Sequence, residues 1–140
     1  MLFNSVRPAS AQLVITEFMA SNGSTLKDED NTYPDWIEIY NRTATNVNVG
    51  GWYLTDNAGN LTKWQFPATN LAPNAFMVIF ADNKNRRVPG APLHTSFSLS
   101  ASGEYLALVK PDGVTRVTEF APQFPNQFTD VSVGPFMMKP

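Results

Sequence analysis

The chain contains no cysteine among its 140 residues and a single histidine, His94. The absence of cysteine excludes disulfides, thiolate metal sites and a thiol nucleophile. No serine stands in a Gly-x-Ser-x-Gly elbow, so the signature of a serine hydrolase is missing as well. A zinc site is disfavoured, because zinc prefers histidine and cysteine ligands. We expect His94 to be a loop or strand-end residue that bonds to the backbone.

Charge is scarce too. Charged residues make up 16% of the chain and the formal net charge is −2, so no global field attracts a polyanion. No apolar run approaches the roughly 20 residues that cross a bilayer, and we expect no membrane insertion. The length fits one domain with a core of its own. A polar but weakly charged surface favours a secreted or cell-surface protein.

The first eleven residues predict the end of a signal peptide. The triplet Ala9-Ser10-Ala11 has the small-x-small pattern of a signal-peptidase site, with cleavage after Ala11. The stretch before it is too short to contain an apolar core. The triplet is therefore either the end of a trimmed signal peptide or a chance match. On the first interpretation we predict a residual leader or signal-peptide end at 1–11, the domain at 12–134, and the start of a linker to further sequence at 135–140.

The rest of the chain has the pattern of an all-β protein. Apolar residues do not recur at i, i+3, i+4 and i+7 over any long window, which excludes amphipathic helices. Short apolar or alternating runs are separated by the Gly, Asn, Asp and Pro clusters that tight turns require. This spacing is typical of a sandwich or small barrel. The predicted strands are 13–18, 36–40, 51–54, 63–66, 76–80, 105–109, 115–120 and an eighth candidate, 129–133.

Large aromatic side chains supply anchors for the predicted core. They are Trp36, Trp52, Tyr53, Trp64 and Phe66.

Two longer loops, 20–34 and 82–95, interrupt the rhythm. The first resembles the start of an EF-hand loop, with Asp28-x-Asp30. The glycine of such a loop is replaced by Tyr33 and its last glutamate by Ile39, so the motif fails. A weak calcium site from Asp28, Asp30 and Asp35, with Glu29 beside them, remains open against a solvated acidic loop; no other cofactor is expected.

Carboxylates also invite a search for acid–base chemistry. Asp35 and Glu38 flank Trp36 on one strand and would point to opposite faces, so they do not converge. Glu17 and Glu38 lie on separate strands and could meet. We favour a structural role, in which they accept loop N–H bonds at one end of the sandwich.

The second loop contains the only basic cluster, Lys84, Arg86 and Arg87. Three cations on a loop give modest, salt-sensitive affinity for phosphates. No helix is available for a major groove, and no RNA-binding aromatic motif is present. The cluster is therefore a candidate polyanion contact, with a solvated loop as the alternative.

Five strings in succession are specific for a known family. They are Leu13-Val14-Ile15-Thr16-Glu17-Phe18-Met19-Ala20-Ser21-Asn22, Asp35-Trp36-Ile37-Glu38-Ile39-Tyr40-Asn41, Gly51-Trp52-Tyr53-Leu54-Thr55-Asp56, Trp64-Gln65-Phe66-Pro67 and His94–Glu104 with Gly103. This succession resembles the bacterial lamin-tail domain, which implies an immunoglobulin-like β-sandwich of about 7–9 strands.

The resemblance implies a domain that is not an enzyme and that accompanies other domains in exported bacterial proteins. It assigns no ligand site. The residues that carry the resemblance are therefore predicted to serve the fold: Glu17, Asp35, Trp36, Glu38, Asn41, Gly51, Trp52, Asp56, Gly103 and Glu104.

The leading hypothesis is a non-catalytic adhesion, interaction or spacer module that binds a protein or cell-surface partner through its two irregular loops. An accessory nucleic-acid-binding module attached to a nuclease or other catalytic domain is the alternative. An enzyme with an unrecognised site is a third option.

Overall fold

The computed structural model describes residues 12–134, and these form an all-β domain of ten strands without a helix. The strands are β1 (Leu13–Met19), β2 (Asp35–Asn41), β3 (Val47–Asn48), β4 (Tyr53–Thr55), β5 (Trp64–Gln65), β6 (Asn70–Leu71), β7 (Phe76–Ala81), β8 (Leu93–His94), β9 (Leu106–Val109) and β10 (Arg116–Phe120).

Two four-stranded sheets make the immunoglobulin-like sandwich that the family resemblance implies. The first has the order β1-β2-β7-β8, and the second has the order β10-β9-β4-β5. Neighbouring strands are antiparallel except β7 and β8, which are parallel. Strands β3 and β6 form a separate pair.

The seven main predicted strands are all present, with ends displaced by one or two residues. Three strands, β3, β6 and β8, were not predicted, because two residues are too few to show alternation. The eighth candidate, 129–133, is not a strand. Its end instead forms an antiparallel bridge between Val133 and Phe18 on the edge of β1.

The main core lies between the two sheets and follows the alternation of the strands. In β2, Ile37 and Ile39 are fully buried against the second sheet, and Leu54 and Leu106 close the core from the other side. Fully burying one such side chain contributes about 1.5–3 kcal/mol. Trp64 belongs to this core as predicted, as do Trp52 and Phe66.

Two of the predicted core anchors lie elsewhere. Trp36 is buried on the outer face of the first sheet, where it packs with Met19 and Phe80. Tyr53 is half-buried on the outer face of the second sheet, beside Tyr105. Alternation explains the difference: Trp36 precedes the inward-facing Ile37, so its side chain must point outward.

The triplet Ala9-Ser10-Ala11 and residues 135–140 lie outside the described residues, so the leader and linker boundaries stay predictions. Within 12–134, no helix is long and apolar enough to cross a membrane.

Candidate functional site

A row of four side chains, three of them apolar and one a histidine, crosses the outer face of the first sheet, and we call it the outer row. Strand register places Met19 opposite Trp36, Trp36 opposite Phe80, and Phe80 opposite His94. Residues directly opposite one another in neighbouring strands share a face, so the four side chains lie side by side. All four are buried although they face away from the core.

The segment 20–34 covers this row, and we call it the covering loop. The Thr25 hydroxyl donates to the Met19 sulfur at 3.2 Å at one end of the row. At the other end, Glu29 contacts the His94 ring. The Trp36 indole N–H, between these ends, has no hydrogen-bond partner in the described structure. The covering loop is therefore a third layer on the sandwich.

His94 is the histidine of the outer row, and both of its ring nitrogens have close carboxylate partners. Its side chain is fully buried, and the Nδ1 atom lies 3.0 and 2.9 Å from the two carboxylate oxygens of Asp82. The Nε2 atom lies 2.5 and 3.0 Å from the two oxygens of Glu29. The Phe80 ring packs against the imidazole, with 5.2 Å between centroids. His94 does end a strand, but its side chain contacts carboxylates where a backbone partner was expected.

The basic segment 82–92, which we call the basic loop, meets the covering loop at these carboxylates. Lys84 Nζ contacts Asp28 at 2.5 Å, Asp30 at 2.7 Å and Asp82 at 3.5 Å. Arg86 contacts Asp30 at 2.7 Å and Glu29 at 3.2 Å. The backbone of Arg86 also bridges that of His94 in both directions, which fixes the two together.

These residues form one loop charge cluster. It comprises Asp28, Glu29, Asp30, Asp82, Lys84, Arg86 and His94.

Asp28 is the anchor of this cluster. Its side chain is fully buried, and Oδ1 accepts hydrogen bonds from the Thr32 N–H and hydroxyl, at 2.9 Å each, and from the Asp30 N–H at 3.1 Å. Burial alone would raise the pKa of Asp28. The Lys84 ammonium and the Thr32 donors outweigh it and hold the pKa below its ordinary value.

The pKa values of Asp30, Lys84 and Arg86 also shift in the direction that favours the charged form. Hydrogen bonds from Arg86 and Lys84 lower the pKa of Asp30. The contacts with Asp28 and Asp30 raise the pKa of Lys84, and the contact with Asp30 raises that of Arg86. These contacts therefore favour the ionised forms of Asp28, Asp30, Lys84 and Arg86.

The three residues predicted to contact a polyanion are placed differently. Lys84 and Arg86 are paired with carboxylates, whereas the Arg87 Nε donates to the Gln65 carbonyl at 2.7 Å. The carboxylates around Lys84 and Arg86 also outnumber these cations. A phosphate approaching this surface would meet an excess of negative charge.

The predicted calcium ligands are not brought together as expected. Among the described residues, the acidic group compact enough to hold an ion is Asp28, Glu29 and His94, with donor atoms within 4.8 Å of one another. The Asp28 oxygens are already engaged with Lys84 and the loop backbone. Asp35 instead accepts the Asn22 N–H at 3.0 Å, and burial raises its pKa. Calcium binding itself stays a prediction.

A second tether holds the covering loop at its other side. Asp130 Oδ1 accepts the N–H groups of Gly23 and Ser24 at 2.7 and 2.9 Å, and its Oδ2 accepts the Ser24 hydroxyl at 2.6 Å. The Ser21 and Thr129 hydroxyls are 3.0 Å apart. The covering loop is thus tied both to the basic loop and to the segment 121–134.

Glu17 and Glu38 do meet, as the sequence allowed. They are partners in the register of β1 and β2, at the point where that register shifts. Glu38 accepts the Thr16 hydroxyl at 2.8 Å, and Glu17 accepts the Ser132 hydroxyl at 2.7 Å. Their donors are hydroxyls, where we expected loop N–H groups.

Asp56 and Glu104 form a second carboxylate pair. The sequence did not predict this pair, because 48 positions of chain separate the two residues. Asp56 contacts Lys63 at 2.7 Å, and Glu104 accepts the Ser100 N–H at 2.8 Å. Burial raises the pKa of Glu104, and the neighbouring Asp56 adds to this although the Ser100 N–H opposes it. We call Asp56, Lys63 and Glu104 the Glu104 cluster.

Two motif glycines have a left-handed backbone conformation, which favours glycine. Gly103 has φ +106°, and a Cβ there would lie 2.3 Å from the Phe124 carbonyl oxygen, so a side chain is excluded. Gly51 has φ +87°, directly before the core residue Trp52.

The buried Asn41 amide lies within hydrogen-bond distance of backbone oxygens of Thr45, Leu71 and Ala72, at 2.8 to 3.0 Å. Asn41 thereby joins the end of β2 to neighbouring turns.

The site has the chemistry of an ion-pair network rather than of a nucleophile. Both His94 ring nitrogens face carboxylates, so in the described structure the imidazole does not contact a hydroxyl that it could activate.

No curated protein matches the chain in sequence. The lamin tail domain family matches residues 7–122, which is most of the chain. The chain therefore belongs to the lamin tail domain family, whose members are non-catalytic immunoglobulin-like domains.

Proposed function

We propose that this domain is a non-catalytic interaction module of a larger exported bacterial protein. In this proposal its contact surface consists of the covering loop, the basic loop and the segment 121–134. The observation that carries the proposal is the loop charge cluster, which joins segments more than fifty residues apart through one half-buried and two exposed ion pairs.

Preformed loops favour binding, because a surface that is already ordered loses less conformational entropy when a partner docks. The Asp28–Lys84 and Glu29–His94 contacts order the covering loop on one side, and Asp130 orders it on the other. In many sandwich domains a rigid scaffold likewise presents binding loops.

The exposed side chains of these segments indicate what kind of partner would fit. Large apolar residues protrude from all three: Leu26 and Tyr33, Val88, and Phe128 with Val131. Phe128 is 74% exposed, the most of any large apolar residue described. With the excess of carboxylates nearby, this composition suits a protein partner with an apolar centre and a basic rim.

Site-specific photo-cross-linking in the full-length protein tests this proposal. A photoreactive amino acid at Leu26, Val88 or Phe128 should yield a discrete protein adduct in the cells that express the gene. The same amino acid at Phe76 or Val114 is the matched control, because both are exposed apolar residues outside the three segments. Absence of adducts at the loop positions, or equal adducts at the controls, would contradict the proposal.

The accessory nucleic-acid hypothesis requires basic side chains that are free to contact phosphates. Since Lys84 and Arg86 are paired with carboxylates, we expect no mobility shift of a labelled DNA duplex even at low salt. A shift at low salt that disappears in Arg87→Ala and at raised salt would favour the nucleic-acid hypothesis instead.

A further inference from the structure

Asn22 joins the two ends of the covering loop. Its side-chain amide donates to the Leu26 carbonyl at 2.8 Å and to the Pro34 carbonyl at 2.7 Å. Its side-chain oxygen accepts the N–H and the hydroxyl of Thr25, at 3.0 and 2.8 Å. Its backbone N–H donates to Asp35 at 3.0 Å. The conformation of the whole loop therefore depends on this one amide.

The next residue is a glycine, and Asn22-Gly23 is the one Asn-Gly pair in the sequence. Such a pair is chemically labile, because glycine has no Cβ to shield its backbone nitrogen or to restrict the backbone. After hydroxide removes its proton, the Gly23 nitrogen can attack the Asn22 Cγ and form a five-membered succinimide. The departing amide nitrogen takes a proton from water and leaves as ammonia. Water then opens either carbonyl of the ring, which leaves aspartate or isoaspartate.

The fold restrains both reacting groups. The Gly23 N–H donates to Asp130 Oδ1 at 2.7 Å, and the bonds to the Leu26 and Pro34 carbonyls fix the Asn22 amide. Hydrogen bonds from the Ser24 hydroxyl and from the Gly23 and Ser24 N–H groups lower the pKa of Asp130, so this carboxylate is ionised at neutral pH. An ionised carboxylate in contact with the Gly23 nitrogen opposes the loss of its proton.

We propose that Asn22 is a site of spontaneous deamidation that the Asp130 contact restrains, and that its conversion releases the covering loop. A carboxylate at position 22 cannot donate, so the Leu26 and Pro34 carbonyls would lose their donor. The new charge would also lie near Asp35, whose carboxylate accepts the backbone N–H of the same residue. The reaction consumes only water, so the loosening would be irreversible and would increase with the age of the protein.

Peptide mapping by mass spectrometry follows this reaction in the full chain, without any partner, so its outcome is independent of the proposed function. At pH 8 the folded chain should convert Asn22 at least about tenfold more slowly than the same chain in urea, because the reaction requires local opening. Asp130→Ala should accelerate the conversion in the folded chain by about tenfold, since an acceptor of charge-assisted bonds is lost. Asn57, which is exposed and precedes Ala58, is the internal reference and should stay unconverted.

Asp112→Ala is the matched control for Asp130→Ala. Asp112 likewise accepts two backbone N–H groups and a hydroxyl, from Val114 and Thr115, but in a different turn. Its loss should leave the rate at Asn22 unchanged. An acceleration as large as in Asp130→Ala would assign the effect to general destabilisation and contradict the proposal.

Asn22→Asp imitates the product and tests its effect on the loop. Amide exchange should show about tenfold lower protection of the Asp28 and Asn31 N–H groups, which bond to backbone carbonyls within the covering loop. Asn57→Asp adds the same charge to another turn, where the side-chain oxygen accepts the Gly59 N–H at 2.8 Å. This control variant should keep the loop protection of the wild type.

Three results would overturn the proposal. Equal rates of Asn22 conversion in the folded and the unfolded chain would mean that the fold does not restrain the reaction. An unchanged rate in Asp130→Ala would remove Asp130 as the restraint. Unchanged protection of the loop amides in Asn22→Asp would mean that the Asn22 amide does not hold the covering loop.

Discussion

Two charged clusters lie in different parts of the domain, and the pKa values of their carboxylates Asp28 and Glu104 shift in opposite directions. In the loop charge cluster, Asp28 is fully buried, yet contacts with Lys84 and the backbone lower its pKa. In the Glu104 cluster, burial and the neighbouring Asp56 raise the pKa of Glu104. Lys63 pairs directly with Asp56, which leaves Glu104 without a cation in contact. Burial of a carboxylate therefore does not decide its titration; the supply of donors does.

The ion pairs of the two clusters also differ in the length of chain between their partners. Asp28 and Lys84 are 56 positions apart, whereas Asp56 and Lys63 are seven apart. A contact between distant segments orders two loops at once, but a local contact orders one turn. We therefore expect the first cluster to dominate both stability and the shape of the contact surface.

The largest effect is expected for Asp28→Ala. The change removes a buried acceptor of several hydrogen bonds and leaves Lys84 without its main partner, so the free energy of unfolding should fall by about 3 kcal/mol. Urea unfolding at pH 7 measures this. Asp30→Ala is the matched control, since its side chain is 41% exposed and its loss should cost much less. Equal losses would show that burial at Asp28 is energetically unimportant.

Double-mutant cycles compare the coupling energies of the Asp28–Lys84 and Asp56–Lys63 ion pairs. The cycle of Asp28→Asn with Lys84→Met should give a coupling energy of about 2 kcal/mol, because the pair includes a buried charge. The cycle of Asp56→Asn with Lys63→Met should give about 0.5 kcal/mol, because both partners are partly exposed, Asp56 to 12% and Lys63 to 30%. Coupling energies in the reverse order would refute the ranking of the clusters.

The opposite pKa shifts predict opposite responses to pH. The raised pKa of Glu104 means that the native state binds the proton more tightly, so this group lowers stability as pH rises through its titration range. Glu104→Gln should therefore stabilise the domain at pH 7 by less than about 1 kcal/mol, since solvent screens a half-buried group. This gain in stability should vanish below about pH 4, because the Glu104 carboxyl is then protonated in the unfolded state as well.

The lowered pKa of Asp28 has the reverse sign. Its stabilisation is present above the ordinary value of 3.8 and is lost as pH falls through the native pKa. Thermal unfolding of the wild type, Asp28→Ala and Glu104→Gln between pH 3 and 8 tests the signs of both pH dependences. If Glu104→Gln lost stability at pH 7 and gained it in acid, the Glu104 assignment would be wrong.

The smallest effect is expected for Trp36→Phe in the outer row. The substitution removes some buried area, but it also removes an indole N–H that has no partner in the described structure. These terms offset each other, and we expect a change within about 1 kcal/mol. Trp52→Phe in the main core is the control and should cost more. A large loss at Trp36 would show that the outer row contributes as much as the core.

Much of the fold was predictable because strand signals are local. The alternation around Ile37 and Ile39 and the turn at 110–113 lie within a few residues, and the strings around Trp36 and Trp52 identified the family. The site was less predictable. Lys84, Asp28 and Asp30 were singled out, but as a separate basic cluster and acidic loop.

His94 shows most clearly why the site could not be inferred in full. Its partners Glu29 and Asp82 lie on two different loops, and no spacing rule links them. The one usable signal was that an acidic run and a basic run of similar length flank the same pair of strands, β2 and β7.

The sequence by itself determined an all-β domain of the lamin tail family, without cysteine and with one histidine. Its strands follow from side-chain alternation, which is a property of neighbouring residues. Only the tertiary structure decided that charged side chains of the two irregular loops pair with each other and that one of the loops covers the outer row. That decision depends on the register that places Trp36, Phe80 and His94 side by side, and register is set by packing across the sheet.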